Sequence, residues 1–288
     1  MRFKTFLEAS GDWSVSDAYQ PISKEKAIQF AKSKCSIAIN DNFPRIIRGM
    51  RDTGDYLWIE GIRGRRSTNT TNEYTTLLDN LPSWRQYPKR SESLICTTTD
   101  SNGYPYDFGD VYIILPSNGA NIGVCRSFDL WSSFPVLGKE LERAKVAPHA
   151  ENPASIFNEV LREIFSIAGV KLDKKNDNYE ILLKAISDTN DWLKTKGKEH
   201  RANKLDIRTL DFFEPVINGN ETLIAYIKRM LDPKANEFKI LNYSELGNLT
   251  GGRELWTDAP SLAIRLPDEN DDPEDVFNAL KKEIMGNE

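Results

Sequence analysis

The sequence predicts an α+β protein, and three observations carry that reading. Short β-type runs, punctuated by glycine, proline and Asn-Gly pairs, fill the stretch from Ser93 to Cys125. After Pro135 apolar residues recur at helical spacing. Strand character then returns at Phe238 to Leu241 and Ser261 to Leu266. With 288 residues, 39% of them hydrophobic, the chain can bury a real core in one large domain or two small ones.

The elements are expected in the following order. Lys24 to Ile39 reads as one amphipathic helix, with Ala27, Phe30, Ala31, Cys35 and Ile37 as its apolar face. Asn40-Asp41-Asn42 makes a turn, and the apolar segment Pro44 to Ile47 leads into Arg48-Gly49. Glu73 to Asp79 has the look of a short helix. Ser93 to Thr97, Val111 to Leu115 and Asn121 to Cys125 follow as strands, the last two forming a hairpin across Asn118-Gly119. One helical face carries Ile156, Val160, Leu161, Ile164, Phe165 and Ile167, and another Ile181, Leu182, Ala185, Ile186 and Leu193. A third helix spans Glu221 to Leu231, and Asp272-Pro273-Glu274 opens a closing helix, since proline suits the first helical position and carboxylates suit its positive end.

Composition removes several function classes. The net charge of -5 gives no general attraction to nucleic acid. Residues 1 to 136 nevertheless carry 16 Lys+Arg against 15 Asp+Glu, whereas the remainder carries 22 against 28. The local basic excess lies between Arg45 and Arg66, where Arg48, Arg51, Arg63 and Arg65 also fall. Guanidinium groups bind phosphate oxygens in pairs, so this cluster suits a small anionic ligand; a solvated charged loop is the plain alternative. Cys35, Cys96 and Cys125 form no CxxC pair, a usage that fits a reducing compartment. The start has no long apolar core for a signal peptide and no stretch has the ~20 apolar residues of a membrane span, so a cytoplasmic location is expected. His149 and His200 are isolated, so no metal is expected. Walker, Gly-x-Gly-x-x-Gly and Gly-x-Ser-x-Gly patterns are all missing.

What remains is an arginine at the end of one strand (Arg48, followed by Gly49), a hydroxyl triplet at the end of another (Thr97-Thr98-Thr99), and a glutamate in a late segment, Gly251-Gly252-Arg253-Glu254-Leu255-Trp256. This order resembles the ADP-ribosyltransferase superfamily, in its arginine, Ser/Thr, glutamate group. The wider blocks Arg65 to Thr70, Leu78-Asp79, Arg90-Ser91, Phe108-Gly109-Asp110 and Tyr112 to Pro116 are similar to phage-encoded members. The resemblance implies a largely antiparallel core of two facing sheets with NAD in the cleft between them. On that reading residues 1–137 and 236–288 are the two parts of the core, the latter with the catalytic glutamate, and 138–235 is a helical insertion.

The resemblance also implies roles. Glu254 is the catalytic carboxylate, Thr97 positions it, and Arg48 with Gly49 binds the NAD phosphates, with Arg65 as a second phosphate contact. Thr98 and Thr99 line the nicotinamide pocket, near Tyr104, Tyr106 and Phe108. Two departures matter. All three triplet positions are threonine, which keeps the hydroxyl but restricts its rotamer. Arginine-modifying relatives carry a second glutamate two positions before the catalytic one, and here Gly252 stands there. The expected partners are NAD and a macromolecular acceptor other than arginine, protein slightly ahead of nucleic acid, with no membrane. Two alternatives stay open: a non-catalytic interaction protein that keeps the fold, and an NAD glycohydrolase. Singly, Arg48 also suits a surface ion pair, the threonines an ordinary strand, and Glu254 a hairpin cap.

Overall fold

The computed structural model describes residues 18–40, 46–51, 54–65, 73–98, 109–146, 152–170, 178–202, 207–249, 251–267 and 271–286. Its architecture is α+β, with ten helices and nine strands among the described residues. The chain divides into two compact units, one of Met1–Asn69, Gln86–Phe128 and Lys239–Glu288, the other of Thr70–Arg85 and Asp129–Phe238.

The first unit holds the sheet. Its strands are β1 (Tyr19–Pro21), β2 (Ile46–Met50), β3 (Tyr56–Ile59), β4 (Leu94–Thr98), β5 (Asp110–Pro116), β6 (Ile122–Val124), β7 (Lys239–Leu241), β8 (Glu254–Thr257) and β9 (Ser261–Arg265). They lie in the order β1-β3-β9-β5-β2-β4-β8-β6-β7, and every described pairing is antiparallel. One hydrogen-bonded sheet thus stands where two were expected, but its ladder is uneven. β2 pairs with β5 from Ile46↔Ile114 to Met50↔Asp110, yet with β4 only at Ile46↔Thr98 and Ile47↔Thr97. The β1-to-β2 half and the β4-to-β7 half are joined by that short seam and part beyond Ile47.

The expected hairpin of 111–115 with 121–125 does not form. β5 is an interior strand between β2 and β9, and β6 pairs with β7 and β8. The turn after Pro116 is tied to other segments: the Ser117 N–H donates to the Pro260 carbonyl at 2.9 Å and the Asn118 N–H to that of Lys34 at 2.7 Å. Tertiary contacts override the local Asn-Gly signal.

Helix α1 (Lys24–Lys34) starts at Ser23, whose hydroxyl accepts the Lys26 N–H at 3.3 Å. The single helix expected to Ile39 breaks at Cys35, whose thiol donates to the Leu115 carbonyl at 3.3 Å. It restarts as α2 (Ser36–Asn40), where Asn118 Oδ1 accepts the Ile37 N–H at 3.0 Å. The break shifts the helical phase, so Ile37, expected on the apolar face, is 41% exposed while Ala38 and Ile39 are buried. Both helices and the closing helix, Pro273–Met285, cover the sheet through Ala27, Ala31, Phe277, Leu280 and Ile284. Asp272 caps the closing helix by accepting the Glu274 N–H at 2.8 Å.

The second unit contains α3 (Glu73–Asn80), α4 (Pro135–Arg143), α5 (Pro153–Ile167), α6 (Tyr179–Ala202), α7 (Ile207–Phe212), α8 (Glu214–Ile217) and α9 (Leu223–Met230). Val160, Leu161, Ile164 and Phe165 of α5 are buried, as are Leu182, Ala185, Ile186 and Leu193 of α6. Ile156 and Ile167 are only partly buried, and Ile181 is 38% exposed, because its neighbour Leu182 takes the inward position and a helical step turns it ~100° away. Phe212, Phe213 and Tyr226 pack edge to face, with centroids 5.0 to 6.1 Å apart. No described helix is long and apolar enough to cross a membrane.

Candidate functional site

The site is built on β4 and β8. β4, Leu-Ile-Cys-Thr-Thr, ends in two β-branched residues suited to a pleated, buried strand. Its pairing with β8 runs from Leu94↔Thr257 to Thr97↔Glu254. One step further the chains clasp each other: the Thr98 N–H donates to the Arg253 carbonyl, and the Arg253 N–H to the Thr98 hydroxyl, both at 3.0 Å. On the other side of β8 the Glu254 N–H donates to the Ser127 carbonyl, and the Glu254 carbonyl accepts the Cys125 N–H, both at 2.9 Å. The backbone of Glu254 is therefore held from both flanks. As a direct cross-strand partner of Thr97, Glu254 projects from the same face of the sheet, with Cβ atoms ~5 Å apart.

Arg48 sits where the sheet splits. Main-chain groups of successive strand residues point to alternate neighbours, so with Thr98 bonded towards β8, those of Ile95 and Thr97 point towards β2. The Ile47↔Thr97 pair ends the main-chain ladder, and beyond it the Arg48 guanidinium donates to the Ile95 carbonyl. Cys96, between Ile95 and Thr97, registers the charges collected here. Burial pushes its thiol up to about 12; Arg48 pulls it down, Glu254 raises it further and Arg65 lowers it. Arg48, Arg65 and Glu254 thus all lie within electrostatic reach of one strand residue, although they are remote in sequence.

Two of the expected contacts are made differently. The Thr97 hydroxyl donates to the Thr98 carbonyl at 3.3 Å, and the Thr98 hydroxyl is engaged by Arg253. Glu254 is instead paired with Arg90, Nη2 to Oε1 at 2.7 Å, both side chains below one-tenth exposed. Arg90 belongs to the 3-10 turn Arg90–Glu92 that leads into β4. Its Cζ lies 5.1 Å from the ring centroid of Trp256, which shares the Glu254 face of β8 two residues on. Trp256 is itself fixed: its Nε1 donates to the Pro88 carbonyl at 2.8 Å, and Tyr87 stacks on it at 6.1 Å. Gly123, opposite Trp256 on β6, leaves the space the indole fills, since a Cβ there would lie 2.2 Å from the ring.

Sequence reasoning did not single out Arg90, Trp256, Tyr87 and Gly123 as site residues. The usable signal was the period of two in Glu254-Leu255-Trp256, which puts a large aromatic beside the carboxylate on one strand face. Gly49 is half-buried in β2 opposite Val111, and Arg65 is half-buried, its N–H donating to the Ser91 carbonyl at 2.7 Å. Thr99, Tyr104, Tyr106, Phe108, Arg45, Arg66, Asp41, Asn42 and His149 lie outside the described residues. Among the described residues no group of three His, Cys, Asp or Glu side chains could hold a metal ion. Compared with protein-family models, curated proteins and solved structures, the chain matches none.

Proposed function

We propose that the protein is an NAD-dependent ADP-ribosyltransferase with Glu254 as its catalytic carboxylate. The observation that carries this is Glu254 held in register beside Thr97 on one face of the β4-β8 pair, with the Arg48 guanidinium, from the adjoining position of β2, brought to the Ile95 carbonyl at the edge where β2 and β4 part. A carboxylate and a guanidinium at the opening of a divided antiparallel sheet provide the charges that NAD cleavage needs. Breaking the bond between ribose C1′ and the nicotinamide nitrogen sends the electron pair to nicotinamide and leaves positive charge on the ribose. A carboxylate beside the ribose stabilises that state more than the ground state. The acceptor nucleophile then bonds to C1′ and releases its proton to solvent.

Arg48, assisted by Arg65 and the Gly49 backbone, holds the pyrophosphate; Thr97 keeps Glu254 in register, and Thr98 borders the nicotinamide. Gly252 argues against arginine as the acceptor. A guanidinium stays protonated at neutral pH and needs a second carboxylate to become nucleophilic. A protein side chain of another type is favoured slightly over nucleic acid, because 28 Asp+Glu face 22 Lys+Arg beyond residue 136.

One observation favours the non-catalytic alternative: Glu254, Thr97 and Thr98 are at most 7% exposed, so contact with NAD requires their surroundings to open. The deciding experiment incubates the protein and Glu254→Gln with labelled NAD and cell lysate, reading nicotinamide release, NAD affinity and transferred label together. Release by the parent, with the variant binding NAD but releasing none, is the expected result. Equal release by both would remove Glu254 from the mechanism. Label confined to arginine would overturn the acceptor assignment, and an inert parent would leave the binding protein as the better reading.

A further inference from the structure

We infer that Arg90 is the positioning residue for Glu254, an assignment that rests on the function proposed above. A glutamate has three rotatable side-chain bonds, and a carboxylate that is to act on one face of a ribose must keep one orientation. Register with Thr97 fixes only where its Cβ stands. The carboxylate itself is oriented by the Arg90 guanidinium, at 2.7 Å. A guanidinium resting on an aromatic ring keeps that close ion pair in one place, where a lysine ammonium would be a mobile point charge.

The guanidinium is in turn immobilised. Trp256 lies under it at 5.1 Å, the indole N–H is bonded to the Pro88 carbonyl, and Tyr87 backs the ring. Pro88 and Arg90 are two residues apart, so a single short segment anchors both the indole and the guanidinium. Trp256 and Glu254 stand on one strand, so carboxylate, guanidinium and ring form one connected cluster. With both charges below one-tenth exposed, little water competes for either.

The test compares parent, Arg90→Lys and Arg90→Ala in nicotinamide release from NAD. In Arg90→Ala kcat falls on the order of 10²-fold, the effect of a misplaced reacting group, while KM for NAD stays within about threefold because the pyrophosphate contacts are untouched. Millimolar guanidinium chloride, filling the vacated space, restores part of kcat in Arg90→Ala. Arg90→Lys keeps the charge without the fork and shows the same split between kcat and KM in milder form, so it serves if the alanine variant fails to fold. Turnover in either variant equal to or above the parent overturns the assignment and makes Arg90 a bolt over Glu254. A parent that releases no nicotinamide refutes the function itself, and this role with it, whereas a working parent with KM and kcat lost in step refutes the positioning role alone.

Discussion

Gly123→Ala tests this cluster of Glu254, Arg90 and Trp256 from its far side, through a residue that touches no charge. The added Cβ would stand 2.2, 2.3 and 2.6 Å from three indole carbons of Trp256, where ordinary contact begins at 3.4 Å. Gly123 and Trp256 are register partners on paired strands, so the backbone has little room to yield and the ring must retreat by ~1 Å. Such a shift stretches the 2.8 Å bond from Nε1 to the Pro88 carbonyl past useful length. Overpacking of this kind costs ~1–3 kcal/mol, and the lost buried hydrogen bond adds ~1 kcal/mol. The expected destabilisation is therefore ~2–4 kcal/mol, large among single substitutions. Urea unfolding followed by far-UV circular dichroism measures it, with nicotinamide release read on the folded protein. Because Arg90 rests on the displaced ring, kcat should fall with KM largely kept. A variant within ~0.5 kcal/mol of the parent would show that the indole does not lie across Gly123, and the cluster would lose its base.

Two further outcomes are expected. Arg48→Lys should weaken NAD binding although the charge is conserved, because an ammonium cannot reproduce a planar two-point contact with phosphate; calorimetric titration decides it, and equal affinity would leave Arg48 a tie between β2 and the Ile95 carbonyl. Burial raises the thiols of Cys35 and Cys96 from 9.0 to about 12 in the folded chain. Above pH 9 the unfolded chain loses both protons and the folded chain keeps them, so stability falls as pH rises towards 12, by ~1.4 kcal/mol per pH unit for each thiol. Unfolding free energies of the parent and a Cys35→Ala/Cys96→Ala variant between pH 9 and 11 should diverge in slope accordingly; parallel curves would show that the thiols ionise freely.

The helices of the second unit were legible because their signal is local. Val160, Leu161, Ile164 and Phe165 report burial through spacing within one element, and Asp272-Pro273 announces a helix start through its own cap. The sheet was less so. Val111 to Leu115 reads as a strand, but which strands flank it is decided by Met50, Ile46 and Leu262, far away in sequence. A turn signal such as Asn118-Gly119 cannot report that the Ser117 and Asn118 amides are taken by Pro260 and Lys34 on other segments. Strand β1 escaped because Pro21 reads as a breaker, and β3 because Tyr56-Leu57-Trp58-Ile59 is continuously apolar and shows no alternation.

The candidate site divides along the same line. Arg48, the threonines and Glu254 could be named from the sequence because each borders an apolar run, where a polar residue stands out from its neighbours. Their partners could not. Arg90 precedes its glutamate by more than half the chain and sits among ordinary polar residues, and nothing local marks Gly123 as the space for an indole. What joins them is register: the pairing of Thr97 with Glu254 and of Gly123 with Trp256 fixes both residues of β8 on one face. The turn into β4 then delivers Arg90 onto them. A slip of one residue in either pairing would turn the carboxylate to the opposite face, away from Arg90. The placement of Glu254 against Arg90 is thus a property of the β4-β8-β6 ladder as a whole, and for that reason a methyl group on Gly123 should reach the carboxylate of Glu254.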